Sequence, residues 1–176
     1  PLSNVDPMGL WKAVLIVGRH GWGEGLVMRA ALYTWLRWLR KQGATEIVIL
    51  YTPTEDEVVA ALSDPSVEGF VLIGHGLGDE EARKGYQWGS PLRDGDQFDA
   101  ATIARIAKIR KKRMRVALIW ACNSSLVIDA LTAIADMAYA WDHETRYRDL
   151  FGEAPVIATS PLEKPRPWRP PGRPGL

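Results

Sequence analysis

The sequence predicts an α/β domain: a three-layer sandwich whose mainly parallel sheet of about five to six strands lies between layers of helix. Short, nearly continuous apolar runs alternate with longer amphipathic stretches, the pattern of a parallel sheet covered on both faces. Glycines gather where the first and third apolar runs end, at points where a strand must turn away from the sheet. A chain of 176 residues with 47% hydrophobic content is the size of one domain and can bury a real core.

The elements follow in order. "KAVLIVG" (12–18) reads as the first strand, and "RHGWGEG" as a glycine-rich turn after it. From residue 26 to 41 the apolar positions Leu32, Trp35, Leu36 and Leu39 recur at three and four, which makes a helix that Gly43 ends. "EIVILY" (46–51) is the second strand, and Thr54 with Glu57 three residues on forms a capping box for the next helix. "GFVLIGHG" (69–76) is the third strand. "GYQWGSPLRDGDQF" carries the turn pair Asp94 and Gly95 and reads as a small hairpin. Asp99 caps a helix from Ala100 to about Lys112, "RVALIWAC" (115–122) is a fourth strand, 124–141 a helix, and "APVIATS" (154–160) a fifth strand.

The domain is expected to span residues 11–160. Residues 1–10 read as an extension, either appended or cut from a longer chain. Residues 161–176 hold six of the twelve prolines and read as a tail, extended or disordered unless a partner orders it.

Charge and composition exclude several classes. With 22 Lys and Arg against 21 Asp and Glu, there is no electrostatic case for nucleic acid or an anionic membrane as partner. The basic run of Lys108, Arg110, Lys111, Lys112, Arg113 and Arg115 reads as the solvated C-terminal end of a helix. One cysteine forms no internal disulfide and cannot supply a zinc framework of several thiols. His143 between Asp142 and Glu144 is too little for a metal site, and no calcium loop is recognisable, so no metal and no cofactor is expected. No run approaches the ~20 apolar residues of a membrane span and no signal-peptide pattern opens the chain. The expectation is a cytoplasmic protein. Of eight tryptophans, Trp35, Trp38, Trp120 and Trp141 fall on core-like faces.

In open parallel sheets, reactive groups collect outside the carboxyl ends of the strands. His20 follows strand one, His75 ends strand three and Cys122 ends strand four, so all three are expected on one edge. A thiol beside an imidazole can form the thiolate that attacks a carbonyl carbon, and the histidine returns a proton to the leaving amine. By pattern alone, a cysteine used as a small apolar filler and a histidine in a glycine turn would leave the same trace.

Three spaced strings add to that trace: "FVLIGHG", "SPLRDGDQFDAATIARI" and "RVALIWACNSS". Together they resemble the caspase-like cysteine peptidase clan, most closely its bacterial CHAT branch. That branch sets a histidine in an HG pair after a strand, then a Leu-x-Asp-Gly hairpin and a helix, then a strand ending in Ala-Cys-x-Ser or Ala-Cys-x-Thr. Here these are His75-Gly76, Leu92 to Gly95, the helix after Asp99, and Ala121 to Ser124. The resemblance implies Cys122 as nucleophile, His75 as acid-base group, and the amides of Gly76 and Cys122 as the oxyanion hole. It further implies a peptide or protein substrate cut through a thioester, control by an activating or regulatory partner or a missing domain, and a role in bacterial defence or self-cleavage.

Four positions are candidates for substrate binding. Arg19, in the loop after the first strand, either reads an acidic side chain or is a surface arginine, and His20 either lines the active edge or serves the turn. Asp79 either attracts a basic residue or is a solvated loop charge. Trp120 stands two positions before the cysteine, where arginine- and lysine-cutting relatives often carry an acid. Two other functions stay open: an inactive scaffold or sensor of the same fold, and a nucleotide-binding module using the turn from Gly18 to Gly25.

Overall fold

The computed structural model describes residues 11–21, 24–145 and 155–159. Its elements run β1 (Trp11–Val17), α1 (Gly25–Lys41), β2 (Ala44–Tyr51), α2 (Glu55–Ser63), β3 (Val67–Ile73), α3 (Asp79–Arg83), β4 (Gly89–Pro91), β5 (Gln97–Asp99), α4 (Ala100–Ile109), β6 (Met114–Trp120), α5 (Ile128–Leu131), β7 (Ala135–Ala140) and β8 (Val156–Thr159). The main sheet has six strands in the order β2-β1-β3-β6-β7-β8. The first five are mutually parallel and β8 lies antiparallel on β7.

Alternation along the strands divides the core between two faces. Val14, Ile16, Phe70, Leu72, Ala117 and Ile119 pack under α2, α4 and α5. Leu15, Val17, Val71, Ile73, Leu118 and Trp120 pack under α1, whose buried stripe runs Met28, Ala31, Leu32, Trp35, Trp38 and Leu39. Trp35 meets Trp38 and Trp141 edge to face, with ring centres 5.8 and 6.0 Å apart. The tryptophans expected in the core are there.

Local signals worked as the sequence indicates. Thr54 and Asp99 both close capping boxes, over α2 and α4. β4 and β5 pair as an antiparallel hairpin, and its turn puts Asp94 and Gly95 at φ of 58° and 89°, a conformation that Asp and Gly tolerate best.

Three expectations are corrected. Residues 124–141 are not one helix: a 3-10 turn at Ser124–Val127 leads into α5, and then the chain becomes the strand β7. Met137, Tyr139 and Trp141 face the α1 side while Ala138 and Ala140 face the other, so the period is two. Pairing beside β6 on one edge and β8 on the other overrides the modest helix preference of Ala and Met. Second, the last strand, expected as the fifth, is the sixth, and it runs antiparallel.

Third, α4 stops at Ile109, because Arg110 leaves helical geometry and its guanidinium donates to the carbonyls of Leu62, Asp64 and Val67 at 2.6 to 2.8 Å. Lys108 is the exposed cation of the last helical turn, as expected, but the cations beyond Ile109 lie outside the helix. Lys112 and Arg115 both bind Glu68, and Arg113 donates to the carbonyls of Thr132 and Ala135. Burial pushes the Glu68 carboxyl up, but the two cations outweigh it and hold it below its ordinary range. The run stitches together the amino ends of β3, β6 and β7. The extension at 1–10 and the tail at 161–176 lie outside the described residues.

Candidate active site

The site forms where β3 and β6 end side by side. Ile73 pairs with Trp120 in the last register of these strands, and the Gly74 amide still donates to the Trp120 carbonyl at 3.2 Å. The next residues, Gly74 to Gly76 and Ala121 to Asn123, therefore leave the sheet as neighbours. Glycine at 76 is a steric requirement: a Cβ there would run into the Cys122 carbonyl and come within 2.7 Å of Trp88 Nε1. Trp88, buried in the hairpin region, donates its indole N–H to that same carbonyl at 2.8 Å. The room beside Gly76 is thus filled by the backbone of Cys122.

Asn123 makes the turn that lifts Cys122 clear of the strand. It sits at φ 52°, in the left-handed region where Asn is among the few tolerated side chains. Its amide group, 5% exposed, donates to the Leu77 carbonyl at 2.9 Å and to Asp79 at 3.1 Å. Its backbone N–H donates to the His143 carbonyl at 3.0 Å. Below it, the buried Ser124 hydroxyl donates to Ile119 and accepts from the Trp141 amide. One asparagine and one serine therefore tie the cysteine turn to both neighbouring loops.

His75 and Cys122, both half-buried, line one cavity of about 170 Å³, together with Glu24 and Thr145. Val27, Met28 and Trp120 supply its apolar wall, and Gly74 a wall without a side chain. Glu24, ahead of α1, is the partner of the histidine: His75 Nε2 and Glu24 Oε2 are 2.9 Å apart, and the Gly21 amide donates to the same oxygen at 2.7 Å. The Gly21 amide first, then the His75 hydrogen bond, hold the Glu24 carboxyl below its ordinary range. A carboxylate only accepts, so His75 carries its proton on Nε2 and leaves Nδ1 for other work. The thiol's partner is Thr145, with Sγ and Oγ1 3.6 Å apart. Among the described residues no hydrogen bond joins imidazole to thiol, and none takes the backbone amides of Gly76 or Cys122.

Of the residues singled out in the sequence, His75, Cys122, Gly76 and Trp120 come together. Arg19 and His20 are exposed and do not line the cavity. The Arg19 amide donates to the Pro91 carbonyl, and His20 Nδ1 lies 3.3 Å from the Gly18 carbonyl. Asp79 opens α3 and serves Asn123 through its side chain. Glu24 and Thr145 were not legible as site residues. Glu24 sat within a string read for its glycines, although it is the only carboxylate there, and Thr145 carries no motif. Among the described residues, no three His, Cys, Asp or Glu side chains gather to hold a metal, and no helix is long and apolar enough to cross a membrane.

The turn after β1 is poorly suited to phosphate. The Gly18 amide is spent on the Ile73 carbonyl and the Gly21 amide on Glu24, and a phosphate at the start of α1 would meet that carboxylate, where an empty helix end is wanted.

No protein-family model matches the chain, and no curated protein does. Solved structures do. An X-ray structure of a secreted C11 cysteine protease from Bacteroides thetaiotaomicron, "iotapain", aligns with a TM-score of 0.52 and 15% identity over 78% of this chain and 53% of that one. A secreted C11 cysteine protease from the same bacterium, in complex with an irreversible peptide inhibitor, aligns at 0.48 and 9% over 78% and 50%. The chain spans about half the length of these proteases. It has the caspase-like fold of the C11 cysteine proteases.

Proposed function

We propose that the chain is a cysteine endopeptidase working through Cys122 and His75, and that within the caspase-like class it belongs beside the CHAT branch its motifs resemble. The observation that carries this reading is that thiol and imidazole leave adjacent parallel strands and line one cavity.

The Cys122 thiolate attacks the scissile carbonyl carbon, and the amides of Gly76 and Cys122 take the oxyanion. As the C–N bond breaks, imidazolium gives its proton to the leaving amine. Water then attacks the thioester, handing a proton to His75 and returning the sulfur as thiolate. Glu24, bonded to Nε2, accepts that N–H throughout and leaves Nδ1 as the nitrogen that exchanges the proton. An activating partner or further domain would regulate the site, and a cytoplasmic setting would suit a free thiol.

A scaffold or sensor without activity is favoured by one observation, the thiol's bond to Thr145 rather than to an imidazole. One experiment separates the readings: the rate of Cys122 alkylation by iodoacetamide at neutral pH, in this chain and in His75→Ala. A loss of at least tenfold in the variant supports the dyad. Equal rates would leave the scaffold reading in its place.

A further inference from the structure

We infer that the cavity beside Cys122 selects peptides with an uncharged, apolar side chain of medium size immediately before the cut bond, and that Trp120, Met28 and Val27 are the residues that impose this choice. The inference rests on the peptidase reading and goes beyond it by naming the substrate class.

The position follows from what the cavity touches. Both Cys122 and His75 line it, so an acyl carbon bound for attack by Cys122 stands beside it. The side chain on that acyl residue is the group close enough to enter. Size follows from the volume: about 170 Å³ is enough for several waters, or for one medium side chain. Small-molecule pockets of roughly 300–1,000 Å³ are larger.

Chemistry follows from the lining. α1 supplies Val27 and the nearly buried Met28, β6 supplies Trp120 at 4% exposure, and Gly74 adds backbone only. Among the described residues no lysine or arginine lines the cavity, so an acidic side chain would lie beside the Glu24 carboxylate with neither of these cations to meet it. A basic side chain would find one carboxylate, but Glu24 Oε2 already accepts from the Gly21 amide and from His75. A basic side chain would be left with Oε1, and pairing there would share the carboxylate with the imidazole. Burying an unpaired charge is far costlier than burying an apolar group is rewarding, so the cavity discriminates most strongly against charge. Among apolar side chains it discriminates weakly, since one methylene changes rates by only about 10- to 200-fold.

The test uses the full chain and peptidyl acyloxymethyl ketones identical except at the residue next to the ketone: Leu, Met, Arg or Asp. Attack by the thiolate forms a carbon–sulfur bond as the carboxylate leaves, and mass spectrometry reads the rate of addition at Cys122. The Leu and Met reagents should react at least tenfold faster than the Arg and Asp reagents. Val27→Asp, a change at a partly exposed helix position, should raise the Arg rate relative to the Leu rate by at least tenfold. If the Arg reagent is fastest in the unmodified chain, Glu24 rather than the apolar wall reads the substrate and the inference is overturned. Equal rates, or preference for Asp, overturn it as well. In each of these cases Cys122 is still labelled, so the peptidase reading stands. If iodoacetamide modifies Cys122 and no peptidyl reagent does, the peptidase reading fails and takes the substrate class with it.

Discussion

Glu24 Oε2 accepts from His75 Nε2 at 2.9 Å and from the Gly21 amide at 2.7 Å, so a single carboxylate oxygen joins the start of α1 to the loop that carries the imidazole. This gives the histidine a fixed ring plane and a fixed tautomer before any substrate arrives. Under the proposed mechanism Glu24 is a positioning residue, and its contribution can be separated from that of Cys122.

Glu24→Gln should lower kcat by roughly 10- to 100-fold with little change in KM, since general acid-base assistance as a whole contributes about 100- to 10,000-fold. The Glu24 carboxyl sits lower in the folded chain than unfolded. Its contribution to stability is therefore complete above the unfolded value of about 4.3 and is lost as pH falls through the lower folded value. The difference between the chain and Glu24→Gln, in rate and in thermal midpoint, should be constant at neutral pH and vanish at the acid end. A difference that instead grew toward acid pH would remove Glu24 from this role.

Gly76→Ala tests the close approach of the two loops. The new Cβ meets both the Cys122 carbonyl and the Trp88 indole N–H that binds it, so the backbone must shift. Overpacking of this kind costs about 1–3 kcal/mol, and it falls on the atoms that would form the oxyanion hole. Thermal denaturation should show the modest loss, and addition of the best peptidyl reagent should slow by at least 100-fold. Unchanged kinetics would mean that the Gly76 amide takes no part.

Far from the site, Arg110→Ala should cost about 2 kcal/mol in a denaturant titration. It removes the donor shared by three carbonyls at the amino edge of the sheet; the Asp64 carbonyl keeps the Val67 amide, and the other two lose this partner at the low end of about 1–3 kcal/mol each. Arg110→Lys should recover little of this, because an ammonium cannot present the planar fork that reaches all three. Reaction of Cys122 with peptidyl reagents should be unaffected in both.

How much of this could be read from the residues depended on whether the signal was local. The capping residues Thr54 and Asp99, the turn pair Asp94 and Gly95, and the nearly continuous apolar runs of β1, β3 and β6 each carry their cause within a few positions, and each was legible. The strand at 135–140 was not, because Ala and Met favour helix locally and the deciding contacts come from β6 and β8. The basic run misled for the same reason: Arg110, Arg113 and Arg115 are explained by carbonyls and a carboxylate 19 to 48 residues away. At the site, motif order located His75 and Cys122, while Glu24 depends on how α1 starts against β3. Charge and spacing alone could not rank it above Arg19 or His20.

Asn123 separates backbone geometry from side-chain bonding in the turn that presents the thiol. Asn123→Gly keeps access to φ 52° and deletes the bonds to Leu77 and Asp79. Asn123→Ala deletes the same bonds and adds the left-handed penalty of about 1–2 kcal/mol. Both should lose stability, with Ala lower than Gly by about that penalty. The loss common to both measures the tie between the cysteine turn and the loop after His75, and the same loss should appear in the rate of peptidyl addition to Cys122. If Gly matched the unmodified chain in rate while Ala did not, the turn's backbone alone would place the nucleophile, and the amide bonds would serve folding only.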